Sequence, residues 1–180
     1  MNLKRPSSES ELEALQKTAY NFACKAQYDE ALKICDWLIE EKSTEVAGYR
    51  ERAAVKEHMG DIHGAIADLQ LVVVRAEDEP ADFHALGLLL LQNGFTVDAI
   101  NSFGKAISIG EKTGNHYYTN SSLLFRAEAY LKRADFKDAL ADVMHLPIGY
   151  QTYIPSSGMR SKEQITKEAS AALARKHKPN

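Results

Sequence analysis

Residues 80–113 read PADFHALGLLLLQNGFTVDAINSFGKAISIGEKT, and this stretch decides the architecture. Its apolar residues recur with a helical period, interrupted once by the turn pair Asn93-Gly94. Two helices joined by so short a turn run antiparallel, and their backbones approach closely only where side chains are small. Gly87 and Ala99 place one small residue on each helix. Leu90 lies one turn after Gly87 and Phe103 one turn after Ala99, on the same faces, where larger side chains fill the flanks.

The same arrangement extends in both directions. Ala31, Ala65 and Ala99 recur at one constant interval, and Ala19, Ala53 and Gly87 recur at the same interval. Ala127 and Ala139 keep the internal offset that separates Gly87 from Ala99, displaced by a short insertion. Each later alanine heads a similar phrase: Tyr28-Asp-Glu-Ala31-Leu32, Ile62-His-Gly-Ala65-Ile66, Thr96-Val-Asp-Ala99-Ile100 and Phe136-Lys-Asp-Ala139-Leu140. A lone helical hairpin cannot bury both of its apolar faces, so hairpins of this kind stack on one another.

This pattern resembles the tetratricopeptide repeat, whose unit has the same period. In that family small residues recur at positions 8, 20 and 27 and large ones at 4, 7, 11 and 24. The repeats would span 12–45, 46–79, 80–113 and 120–153, with an insertion at 114–119. The third fits best, through Phe83, Leu86, Gly87, Leu90, Gly94, Ala99, Phe103 and Ala106. In the second, Lys56 stands where a large apolar residue belongs, and position 27 is enlarged to Leu38, Val72 and Leu146 in the first, second and fourth repeats. The usual proline near position 32 is absent, although Pro80 is placed to stop one helix and start the next. The resemblance implies an all-α, single-domain, right-handed superhelical stack of about 3.5–4 repeats.

Outside the repeats, Ser8 and Ser10, each with a glutamate three residues on, offer two alternative capping boxes for the first helix after a frayed lead-in. Residues 147–159 read as an ordered, turn-rich loop. Ser161-Lys-Glu-Gln164 is a further capping box, opening a last helix over about 161–177 that caps the stack and ends among Arg175, Lys176 and Lys178. The insertion, with Asn115, His116, Tyr117 and Tyr118, lengthens a loop or extends the flanking helices. Its tyrosines either pack on the next helix or form a contact loop.

Composition narrows the function. A formal charge of −3 and 44% hydrophobic residues suit a globular chain and argue against a nucleic-acid partner held through its phosphates. The start of the chain has no apolar signal core, and no run reaches the roughly 18 apolar residues of a membrane span, so a reducing cytoplasm is the expected location. Cys24 and Cys35 fit neither a redox pair nor a zinc knuckle and read as reduced thiols. His58 and His63 are five apart across a glycine, unlike the spacing of a helical metal site. No phosphate-binding glycine loop and no nucleophile elbow occurs. Neither a metal, a cofactor nor a catalytic residue is therefore assigned.

In the resembled family the first helix of each repeat lines a concave groove. Carried onto this chain, the groove contains Tyr20, then Arg50, Glu57 and His58, then His84, Leu88 and Leu91, then Leu124, Glu128 and Leu131. The four leucines are expected either to form an apolar partner-binding patch or to pack beneath the insertion or the last helix. The carboxylate clamp of some family members is missing, since its places carry Gln16, Tyr20 and Glu51. The C-terminal third, from Leu123-Leu-Phe-Arg126-Ala-Glu-Ala-Tyr130 through Gly149-Tyr150 to Gly158-Met-Arg-Ser-Lys-Glu163, loosely resembles small bacterial repeat proteins, some similar to toxin-neutralising immunity proteins. The resemblance implies a non-catalytic module binding another protein or peptide segment, in the form of an immunity protein or a secretion-type chaperone, with an enzyme or regulator using the insertion loop as the alternative. The oligomeric state is left open. If the register is right, Ala65→Trp or Ala99→Trp will overpack a close helix crossing and cost about 1–3 kcal/mol or more; an unchanged urea midpoint in either variant would show the register to be misplaced.

Overall fold

A computed structural model describes Lys4, residues 6–155 and residues 157–176. His177 and Lys178, the end of the expected last helix, and parts of the lead-in lie outside the described residues. The chain divides into two compact units, residues 1–77 and 78–180. The first holds α1 (Glu9–Cys24), α2 (Tyr28–Glu40), α3 (Glu45–Met59) and α4 (Ile62–Arg75). The second holds α5 (Pro80–Gln92), α6 (Thr96–Thr113), α7 (Thr119–Lys132), α8 (Phe136–Met144), strands β1 (Gln151–Ile154) and β2 (Gly158–Ser161), and α9 (Lys162–Lys176). Helices α1 to α8 form four successive pairs, α1–α2, α3–α4, α5–α6 and α7–α8.

Local chemistry sets the ends of these helices. Ser8 caps α1 by accepting from the Glu11 amide at 3.2 Å, so the Ser8 box is used rather than the Ser10 one. The Glu11 carboxylate reaches back to the Ser7 amide instead of the Ser8 amide. Asp61 caps α4 through the Gly64 amide, and Pro80 opens α5 behind Glu79. The Ser161 box forms in full: the Gln164 amide donates to the Ser161 hydroxyl and the Ser161 amide donates to the Gln164 side chain.

Every repeat turns through one left-handed residue at the same place. Gly60 and Gly94 fill it in the second and third repeats, with φ of 80° and 82°. Ala26 and Ala134 fill it in the first and fourth, with φ of 56° and 62°. The insertion is divided between a longer helix and a turn: α6 has 18 residues against 14 in α4, stops at the left-handed Gly114, and leaves a short turn before α7.

Small residues stand at the crossings, as the spacing requires. Ala19, Ala31, Ala65, Ala99, Ala127 and Ala139 have no exposed surface, and Ala53 has 3%. A Cβ on Gly87 would lie 2.7 Å from the Phe103 ring, so the ring of α6 lies directly on the α5 backbone there. In the first unit the core joins Ile34, Cys35, Leu38 and Val55. In the second, Ile107, Leu123, Leu124, Val143 and Leu146 join Ile165 and Ala169 of α9.

The expected loop at 147–159 instead contains an antiparallel hairpin, with Gln151 opposite Ser161 and Ile154 opposite Gly158. The segment Gln151-Thr-Tyr-Ile154 is rich in strand-forming residues and is followed by Pro155, a serine pair and Gly158, a combination that favours a strand and turn. Ile154 is fully buried, which ties the hairpin to the body of the unit.

The left-handed alanines generate a test. Holding alanine there costs about 1–2 kcal/mol, partly offset in a glycine variant by the greater freedom of its unfolded chain. Ala26→Gly and Ala134→Gly should therefore each stabilise the protein by about 0.5–1 kcal/mol in urea unfolding, and a loss of stability would contradict this backbone geometry.

Candidate protein-binding face

The first helices of the hairpins carry the predicted groove residues, and the two units treat them differently. In the first unit, the Gln16 side-chain amide donates to Glu51 at 3.2 Å, tying α1 to α3. About one turn further along, the Tyr20 ring meets His58 edge to face, with centroids 5.8 Å apart. The Tyr28 hydroxyl donates to the His58 carbonyl from the α2 side. Tyr20 is 50% exposed, Glu57 and His58 are exposed, and Arg50 is half-buried two turns before His58. Burial raises the pKa of Glu51, against the opposing hydrogen bond from Gln16. Cys24, next to this face, is exposed, whereas burial first and nearby carboxylates second push the Cys35 thiol up to about 12.

Behind that face lies an ion-pair network. Arg52 donates to both oxygens of Asp68, at 2.9 and 2.8 Å, and to Asp36 at 2.9 Å, while Lys56 reaches Asp68 at 2.8 Å. Burial alone would raise the Asp68 pKa, but the bonds from Arg52 and Lys56 outweigh it and hold the carboxyl below its ordinary value. The lysine that breaks the repeat pattern thus helps neutralise a buried aspartate. The second unit repeats the fork: Arg126 donates to both oxygens of Asp142 at the same sequence separation.

In the second unit the expected apolar patch is largely core. Leu124 has no exposed surface and Leu91 has 1%. Leu88 is half-buried, and half-buried Leu131 packs on the Leu124 cluster. Leu124 is covered because that cluster includes Ile165 and Ala169 of α9; Leu91 belongs to a helix that buries Leu89, Leu90 and Leu91 in succession and so is apolar nearly all round. Glu128 is buried too, accepting from the Ser157 hydroxyl at 2.7 Å and from Arg160 at 2.8 Å. The other two nitrogens of the Arg160 guanidinium grip both oxygens of Glu168. His84 lies among Tyr118, Phe125 and Phe103 at 5.0–5.9 Å, its Nδ1 paired with the buried Ser122 hydroxyl at 2.8 Å. Tyr118 of the insertion therefore packs inward, while Tyr117 is 82% exposed.

Among solved structures, the chain is similar to the nearly identical TPR-like repeats of a putative kinesin light chain from Podosopora anserina. The TM-score is 0.67 at 17% identity, over 95% of this chain and 90% of that one. It is also similar to the type III secretion translocator chaperone SycD of Yersinia enterocolitica, with a TM-score of 0.58 at 20% identity over 71% of this chain and 89% of that one. A third likeness is to PcrH in complex with the chaperone-binding region of PopD, with a TM-score of 0.59 at 17% identity over 73% of this chain and 99% of that one. The fold is that of a tetratricopeptide-repeat protein. No family model and no curated protein matches the chain.

Within this tetratricopeptide-repeat fold, the structure brings Tyr20 and His58 together, and it withdraws Leu91, Leu124 and Glu128 from the surface. Glu51, Arg160 and Ser157 are polar neighbours of these residues that the groove positions did not include. Glu51 sits one place after the groove position of Arg50, and the other two lie beyond the last repeat. Among the described residues no group of three His, Cys, Asp or Glu converges as a metal site would require.

His84 makes the second unit sensitive to acid. Burial lowers its pKa to about 4, whereas the unfolded chain takes up that proton near 6.5. The contribution is constant above 6.5. As pH falls towards 4 the unfolded state binds more protons, so stability drops by up to about 1.4 kcal/mol per pH unit in that window. Urea midpoints at pH 7.5 and pH 4.5 should show a shallower drop for His84→Leu than for the unmutated chain; equal drops would exclude His84 as the source.

Proposed function

We propose that this protein is a non-catalytic module that binds an extended segment of another protein on the α1–α3 face of its first unit. The observation that carries this reading is the Tyr20–His58 pair: two aromatic rings on neighbouring helices, with Tyr20 half-exposed and His58 exposed. Amphipathic rings that keep open surface on a rigid scaffold favour partner contact at low entropic cost. The corresponding helices of the second unit are less available, because Leu124 and Glu128 are covered by the chain's own C-terminal elements.

The likeness to PcrH, solved with a binding region of PopD, supports a peptide-binding role and, of the finer readings, a secretion-type chaperone. The toxin-neutralising reading rests on the resemblance of the C-terminal third alone. Residence in the cytoplasm is part of the proposal.

A photo-crosslinking residue at position 20 is expected to capture one polypeptide in the native cell, and one at position 74, exposed on α4, to capture none. His58→Ala, which removes one ring of the pair without adding charge, should abolish the capture while leaving helicity unchanged. Equal capture from both positions, or capture indifferent to His58→Ala, would overturn the reading.

A further inference from the structure

The first unit is acidic and the second is not. Residues 1–77 carry ten lysines and arginines against fourteen aspartates and glutamates, and residues 78–180 carry twelve against eleven. The cations on α3 do little to offset this at the binding face, because Arg52 and Lys56 are both turned to Asp68. Along α3, Glu51, Ala54 and Glu57 recur every third residue and so share one side of the helix. Two carboxylates thus flank a small residue, with Glu51 tied through Gln16 to α1, where Tyr20 stands. Among the groove positions of α1 and α3 one arginine, Arg50, stands against Glu13 and Glu57.

The second unit contains an internal example of what such a face accepts. Position 9 of a repeat is Ala54 in α3 and Glu128 in α7. At Glu128 an extended strand, β2, presents Arg160, whose Nε donates to the carboxylate at 2.8 Å. The ligand of that first helix is thus an arginine on extended backbone. In α3 carboxylates stand at both ends of the stripe instead of in its middle, and Gln16 bonds to one of them, Glu51.

We infer that the α1–α3 face selects an extended segment bearing an arginine or lysine, whose cation lies over Ala54 between Glu51 and Glu57 and beside the Tyr20 ring. This rests on the peptide-binding reading above and supplies its chemical preference. The ring adds a cation–π contact to the two carboxylates, and the acidic unit steers such a segment to the face.

The test uses the labelled full chain on immobilised decapeptide pools whose central residue is fixed as arginine, lysine, citrulline or glutamate. The arginine and lysine pools are expected to retain at least about ten times more protein than the citrulline and glutamate pools, which corresponds to about 1.4 kcal/mol. Glu51→Gln with Glu57→Gln should remove that preference. Glu40→Gln, an equal charge change per site on the exposed end of α2, should leave it intact. Pools that bind equally well would overturn the cationic preference and leave the peptide-binding reading standing. Retention by no pool would overturn both. A preference lost equally in Glu40→Gln would also overturn the inference, since net charge and not the α3 stripe would then be responsible.

Discussion

The close helix crossing is the constraint on which the rest depends. Two helices can share a backbone-distance contact only where neither carries a large side chain, and this chain meets that condition in each repeat with a pair of small residues at one fixed offset. At Gly87 the tolerance is small, for even a methyl group would lie 2.7 Å from the Phe103 ring. Once the crossings are fixed, the flanking large residues have one side left to fill, and the hairpins must stack. Dispersion and hydrophobic burial then act over the whole interface rather than at single contacts.

Charge enters this apolar scheme in a regular way. The second hairpin of each unit joins an arginine on its first helix to an aspartate on its second, bonded as a two-pronged fork. Such pairs contribute less to stability than their geometry suggests, because both ions are partly desolvated. They do specify which helix faces which, since a misplaced hairpin would leave a nearly buried carboxylate without its partner. Lys56 belongs to the same logic, and reading it as a defect of the repeat overlooks Asp68 on the partner helix α4.

What was legible in the sequence is what depends on short spacings. The paired alanines, Pro80 and the Ser161 box each act within one hairpin or one turn, and each appears where its spacing puts it. The hairpin at 151–161 was read as loop because its anchors are distant: Ser157 and Arg160 bond to Glu128, which lies on α7 with the whole of α8 in between. Leu124 could not be separated from a surface leucine for the same reason, since Ile165 and Ala169, which cover it, belong to the last helix of the chain. Ala26 and Ala134 carry no turn signature in the sequence, although the repeat period alone aligns them with Gly60 and Gly94. In the candidate face, Tyr20 and His58 are named by position in the repeat, while the proposed role of Glu51 rests on the bond by which Gln16 reaches it from the neighbouring helix.

The unequal cysteines have a practical consequence. Thiol reagents attack the thiolate, and burial that lifts Cys35 to about 12 leaves almost none of it at neutral pH. Cys24 is exposed, one turn beyond Tyr20 on α1. A maleimide dye added to the unmodified chain will therefore attach at a single known point at the edge of the α1–α3 face without any engineered residue.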